Sequence, residues 1–167
     1  MNDLQRWLAA VHGGDRAAFE KLYENMNRPL YAVALQITQN RALAEDILQE
    51  VFLKLYLSPP EPSINPRAYL CRMAQNLAID SVRKRRKEFD LGEVENDIFY
   101  PTDDLPLKLD VENALRSLPD RERQIVTLHI NGDLRFREIA TIMELPLGTV
   151  LWAYQKALKQ LRNTLGG

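Results

Sequence analysis

Apolar residues along this chain recur at intervals of three and four, with no sustained alternation of period two, which predicts an all-α protein. A first short helix covers residues 3–11 and stops at Gly13 and Gly14. Asp15 caps a second, which places Phe19, Leu22, Tyr23, Met26, Leu30, Val33, Ala34 and Ile37 on one face and bends at Pro29. Asn40 caps a third, with Leu43, Ile47, Leu48, Val51, Phe52 and Leu55 turned inward. The proline-rich run at 58–63 reads as a loop. Asn65 followed by Pro66 then supplies an N-cap and a first-turn proline for a long helix that reaches about residue 87.

Periodicity fades over 93–110 and returns as a short helix at 109–116 and another from Pro119 through Ile130. Residues 135–144, a tight turn at 145–149 and a final run at 150–165 read as helix, turn, helix. Ile139, Ala140 and Met143 in the first of these and Val150, Tyr154, Ala157, Leu158 and Leu161 in the second are spaced to pack together, and the second helix of such a pair can enter a major groove.

A length of 167 residues holds one ordinary domain or two small ones, which excludes a large barrel or a doubly wound enzyme. The formal net charge of −1 hides an uneven distribution: −1 over 1–60, +3 over 61–90, −5 over 91–110 and +2 over 111–167. The basic run Arg83, Lys84, Arg85, Arg86, Lys87 is followed at once by an acidic, proline-containing stretch that reads as a linker between two lobes. One cysteine, Cys71, allows no internal disulfide, and with two histidines it argues against a structural zinc site. The first residues hold no apolar signal core and no run is long enough to span a bilayer, so the expected compartment is the cytoplasm, with no membrane insertion. No nucleophile, paired-carboxylate or phosphate-loop signature stands out, so no catalytic residue, metal or cofactor is expected.

Two surfaces stand out. On the long helix Arg72, Asn76, Asp80, Arg83 and Lys87 form a polar stripe opposite Leu70, Met73, Ala74, Leu77 and Val82. The stripe is either a solvated amphipathic face or a nucleic-acid surface, with cations on phosphates and Asn76 at a base edge; Lys84 and its neighbours favour the second. On the third helix Asp46, Gln49, Glu50 and Leu53 lie at i, i+3, i+4 and i+7 away from the core, which suits either a docked partner helix or simple solubility.

The residues also resemble a known family. The run 14–23 is similar to the opening helix of the extracytoplasmic-function sigma factors, promoter-recognition subunits of bacterial RNA polymerase. Residues 44–56, Ala-Glu-Asp-Ile-Leu-Gln-Glu-Val-Phe-Leu-Lys-Leu-Tyr, closely resemble that family's core-polymerase-binding helix, the most specific motif in the chain. Residues 68–80 followed by basic side chains resemble its minus-10 helix. Leu118-Pro119, Arg121 to Val126, Glu138-Ile139-Ala140 and Pro146 to Val150 resemble its C-terminal domain.

The resemblance implies a sigma factor that catalyses nothing, with a domain at 1–90 for core polymerase and the minus-10 element, an acidic linker at 91–106, and a helix-turn-helix domain at 107–167 for the minus-35 element and the polymerase β flap. By position, Asp46, Gln49, Glu50 and Leu53 would dock on the β′ clamp helices, and Arg72, Asn76, Asp80, Arg83, Lys84 and Lys87 would meet minus-10 DNA. Arg137, Thr149, Trp152, Gln155, Lys156 and Lys159 are the candidates for the minus-35 element. An anti-sigma factor is a further partner the family admits. The rival reading is a stand-alone helix-turn-helix regulator that binds duplex DNA without polymerase; the motif at 46–56 argues against it.

The chain departs from the family pattern in two places. Leu151-Trp152-Ala153-Tyr154-Gln155-Lys156 replaces the usual basic and small polar run, leaving Trp152 either a reader of thymine methyls or a core or partner residue. Asp133-Leu134-Arg135 stands where a serine normally opens the first helix of the motif.

Overall fold

The structure is a computed structural model that describes residues 2–92 and 109–166. Among these residues the chain is helical throughout: α1 (Asp3–His12), α2 (Arg16–Thr38), α3 (Arg41–Leu57), α4 (Pro66–Asp90), α5 (Leu109–Arg116), α6 (Asp120–Ile130), α7 (Phe136–Met143) and α8 (Leu147–Gly166). The acidic linker expected at 91–106 lies, beyond Gly92, outside the described residues.

Local chemistry accounts for the helix starts. The Asn2 side chain accepts from the Gln5 amide at 2.9 Å while Gln5 accepts from the Asn2 amide at 3.2 Å, a reciprocal capping box. Asp15 accepts from Ala17 N–H at 2.9 Å, Asn40 from Leu43 N–H at 3.0 Å, and Asn65 from Ala68 N–H at 3.3 Å with Pro66 in the first turn. Gly14 turns the chain between α1 and α2 at φ 94°, a conformation that costs a residue without Cβ little. Pro29 does not end α2, which continues to Thr38.

Two boundaries differ from the sequence expectation by three residues. The long helix continues to Asp90, and α8 starts at Leu147, three residues before the expected 150. Pro146 cannot continue a helix before it but its carbonyl accepts from Val150 N–H at 3.2 Å, so Leu147, Gly148 and Thr149 form the first turn of α8 instead of a loop. Tyr23, expected in the core, is 44% exposed and leans on Phe52 with ring centroids 4.8 Å apart.

α2 lies at the centre, packed by α1, α3, α4 and α6, and one continuous apolar cluster runs from Leu4, Leu22 and Leu30 through Leu55 and Leu70 to Ile125, Leu128, Ile139 and Val150. The two lobes therefore share a core. Polar contacts stitch the same seam: Arg123 Nε donates to the Gln36 carbonyl at 3.0 Å, Gln36 Nε2 to Glu112 at 3.2 Å, Asn65 Nδ2 to Glu138 at 2.7 Å and Arg67 to the Gly132 carbonyl at 3.3 Å. Cys71 sits at this seam, fully buried, and burial pushes its thiol up to about 12 against the opposing pull of Arg67, so it is a packing residue with little thiolate at neutral pH.

Gly132 permits the tight turn that ends α6 at this seam. A Cβ there would lie 2.5 Å from the Leu128 carbonyl oxygen and 3.4 Å from Cys71 Sγ. Gly132→Ala is expected to cost about 1–3 kcal/mol by forcing the turn after α6 away from the Leu128 carbonyl. Chemical denaturation of the two proteins checks this, and an unchanged midpoint would refute it.

Candidate functional site

The third helix delivers its two faces as its sequence requires. Ala44, Ile47, Val51, Phe52 and Leu55 are buried, which turns Asp46, Gln49, Glu50 and Leu53 outward together; all four are exposed. The strip continues into an apolar end that sequence reasoning missed: Tyr56 and Leu57 are 53% and 69% exposed. Phe19 holds Tyr56 edge-on at 5.5 Å. The spacing of Tyr56 and Leu57, three and four residues beyond Leu53, was the available signal.

On α4 the buried positions Leu70, Cys71, Ala74, Gln75 and Ala78 face α2 and the seam. Arg72, Asn76, Asp80, Arg83, Lys84 and Lys87 are all exposed on the other side, as the polar stripe predicts. Asn76 and Arg83 lie seven residues apart, about 10 Å along the axis. The seam uses other positions of α4, Arg67, Cys71 and Gln75, and Gln75 Nε2 reaches Met143 sulfur at 3.1 Å.

The helix-turn-helix is built on a small aromatic core. His129 stacks on Phe136 with centroids 4.2 Å apart, and Tyr154 meets both edge-on at 4.9 Å. His129 Nδ1 lies 2.9 Å from the Leu134 carbonyl, which can only accept, so that nitrogen carries the proton and the ring is a structural group. Leu134, buried to 1%, anchors the segment that departs from the family's serine, and Glu138 caps α7 by accepting from Arg135 N–H at 2.9 Å. Val150, Ala153 and Ala157 pin α8 inward, leaving Trp152, Gln155, Lys156 and Lys159 exposed; Arg137 on α7 is exposed and Thr149 is half-buried. Trp152 is 58% exposed, which removes the core alternative for it. Lys156 is less free than its exposure suggests: its Nζ lies 3.4 Å from the buried Glu122 carboxylate and 5.1 Å over the Trp152 ring.

Among the described residues, no group of three or more His, Cys, Asp or Glu side chains converges on a point that could hold a metal ion, and no helix is long and apolar enough to cross a membrane.

The family model for Sigma-70 region 2 matches residues 22–88, and that for Sigma-70 region 4 matches residues 108–161. This chain belongs to the extracytoplasmic-function sigma factors of the sigma-70 family. The sigma factor is 27% identical to the ECF RNA polymerase sigma factor SigW of Bacillus subtilis, over 97% of this chain and 96% of the relative. It is 29% identical to SigM of the same organism, over 86% of this chain and 94% of the relative. Two solved structures share the fold of the sigma factor. One is the sigma factor RpoE in complex with the anti-sigma factor NepR from Bartonella quintana, with TM-score 0.72, 22% identity, and coverage of 89% of this chain and 96% of that one. The other is CnrH in complex with the cytosolic domain of CnrY, with TM-score 0.71, 20% identity, and coverage of 99% and 98%. Region matches at both ends of the sigma factor favour transcription initiation over a stand-alone regulator.

Proposed function

We propose that this sigma factor works in the cytoplasm as a non-catalytic subunit that carries core RNA polymerase to promoters, with residues 1–90 serving the polymerase and the minus-10 element, 91–106 linking, and 107–167 serving the minus-35 element and the β flap. The observation that carries this division is the pair of outward faces on adjacent helices, one acidic and apolar on α3, one largely basic on α4, neither needed by the fold. Asp46, Gln49, Glu50 and Leu53 dock on the β′ clamp helices, and the exposed Tyr56 and Leu57 extend that contact by burying apolar surface. Arg72, Arg83, Lys84 and Lys87 neutralise phosphates, Asn76 contacts an unpaired base, and Asp80 lies exposed on the same stripe. Arg137, Thr149, Gln155, Lys156 and Lys159, with Trp152, face the minus-35 duplex. An anti-sigma protein is a further partner, on the strength of the fold shared with the sigma factor RpoE, solved in complex with the anti-sigma factor NepR.

Transcription in vitro with purified core polymerase over a genomic library tests the proposal: start sites sharing a sequence motif are expected, and none would refute it. The two helix residues separate the roles. Arg83→Ala should weaken all promoters alike and lower the slope of log affinity against log salt by about 0.7–0.9, the share of one phosphate contact. Asn76→Ala should instead change the minus-10 preference at a single position by about 1–3 kcal/mol. Uniform loss across sequences with Asn76→Ala would remove it from the base-contacting set.

A further inference from the structure

The start of α8 is chemically unusual for a helix that reads base edges. Its first two turns, Leu147, Gly148, Thr149, Val150, Leu151, Trp152, Ala153 and Tyr154, contain no charged or amide side chain. Val150 and Ala153 are buried, and Tyr154 is committed to the aromatic core beneath. What remains outward at the N-terminal end is Leu147, Leu151 and Trp152, which are 36%, 40% and 58% exposed, with Thr149 half-buried beside them.

The N-terminal residues of such a helix are the ones that approach base edges in a major groove. Discrimination of guanine, adenine or cytosine there uses bidentate Arg, Lys, Asn or Gln, or an accepting carboxylate, and these turns have none. An apolar side chain distinguishes one feature of the groove, the C5-methyl group of thymine. Charge names the occupant: α8 carries Lys156, Lys159 and Arg162 and no acidic residue, so the apolar end is continuous with a cationic flank that suits a phosphate backbone. Lys156, held by Glu122, lies over Trp152 and fixes the indole on this surface.

We propose that this sigma factor selects its upstream promoter element by thymine methyl groups, read by Trp152 with Leu151 alongside, while Lys159 and Arg137 hold the phosphates. The inference rests on the assignment of α8 to the minus-35 element. Burial of one methyl group is worth about fourfold in affinity, so two methyls in contact give a preference of about tenfold or more for thymine over a methyl-free pyrimidine.

Deoxyuridine isolates that group, since it pairs as thymine does and lacks only the methyl. Holoenzyme assembled from the full chain and core polymerase is used to select duplexes randomised upstream of a fixed minus-10 region. In the best of them each upstream thymine is then replaced singly by deoxyuridine. The expected result is a selected element containing thymine, a loss of about fourfold at one or two positions, and no loss elsewhere. Trp152→Ala should bind the thymine duplex more weakly and treat thymine and deoxyuridine alike at those positions. Since the indole is exposed, the variant keeps its helical signal, and Lys159→Ala should weaken every duplex equally. Indifference of the normal holoenzyme to deoxyuridine throughout, or full discrimination by Trp152→Ala, would overturn the inference. So would a defect of Trp152→Ala in core-polymerase binding alone, which would mean that a protein covers this patch. In each of these cases normal initiation would leave the sigma assignment of α8 standing, whereas initiation without any upstream preference would remove that assignment as well.

Discussion

Replacing both Asp46 and Glu50 by lysine will abolish stable association with core RNA polymerase while leaving the helical circular-dichroism signal unchanged. Both carboxylates are exposed on α3 and neither has a hydrogen-bond or ion-pair partner among the described residues, so the fold loses nothing when they change sign. An interface that desolvates them does lose: truncating one partner of a buried charge pair costs about 2–5 kcal/mol, and reversal adds repulsion. That is a factor of about thirty to several thousand in affinity from each site. Leu53→Ala should weaken association less and with little salt dependence, because it removes apolar contact alone. Native binding by the double lysine variant, measured by co-purification and by competition with a second sigma factor, would remove α3 from the polymerase-binding surface.

Arg123→Ala will loosen the seam between the lobes. The guanidinium is almost wholly buried and donates three times, to the Gln36 carbonyl at 3.0 Å, to the Leu118 carbonyl at 3.1 Å and to Asp120 at 2.6 Å. A flat, three-way donor of this kind cannot be replaced by a lysine ammonium in the same place, so Arg123→Lys should recover only part of the loss. Deleting it leaves the Leu118 carbonyl buried without that donor and should cost about 3 kcal/mol, or roughly 6–12 °C in melting temperature for a chain of this size. Cys71 supplies a second readout. It is the single cysteine, fully buried beside Gly132, and alkylates only when the seam opens. Faster alkylation in Arg123→Ala under native conditions is expected; an unchanged melting temperature together with unchanged alkylation would show that the shared apolar core alone holds the lobes.

The helices were legible because their signals are local. Asp15, Asn40 and the Asn65-Pro66 pair each mark a start that the hydrogen bonds then show, and α5 begins and ends where periodicity places it. The outward faces of α3 and α4 followed from the same periodicity, since fixing the buried side of a helix fixes the other. The start of α8 was misplaced because Gly148 and Thr149 read as turn residues, whereas Pro146 sets the boundary three residues earlier, at Leu147. The seam was not legible. Its partners stand 65 to 87 residues apart, and Gln36 and Arg123 look like interruptions of an apolar stripe until the carbonyl that receives the guanidinium is seen. A polar residue at a core-facing period is the only trace such a contact leaves in one sequence.

The acceptor in that contact has a genetic consequence. Gln36 lies in the last turn of α2, where the main-chain carbonyl has no successor amide to bond, and it takes Arg123 Nε and Gln39 Nε2 instead. An oxygen of the main chain is present whatever residue occupies position 36. Mutational drift on the α2 side can therefore remove the Glu112 contact but not the bond to Arg123, whereas a single codon change at 123 removes it outright. A random screen for loosened variants should return alleles at 123 repeatedly, and position 36 should contribute only those that fail in packing.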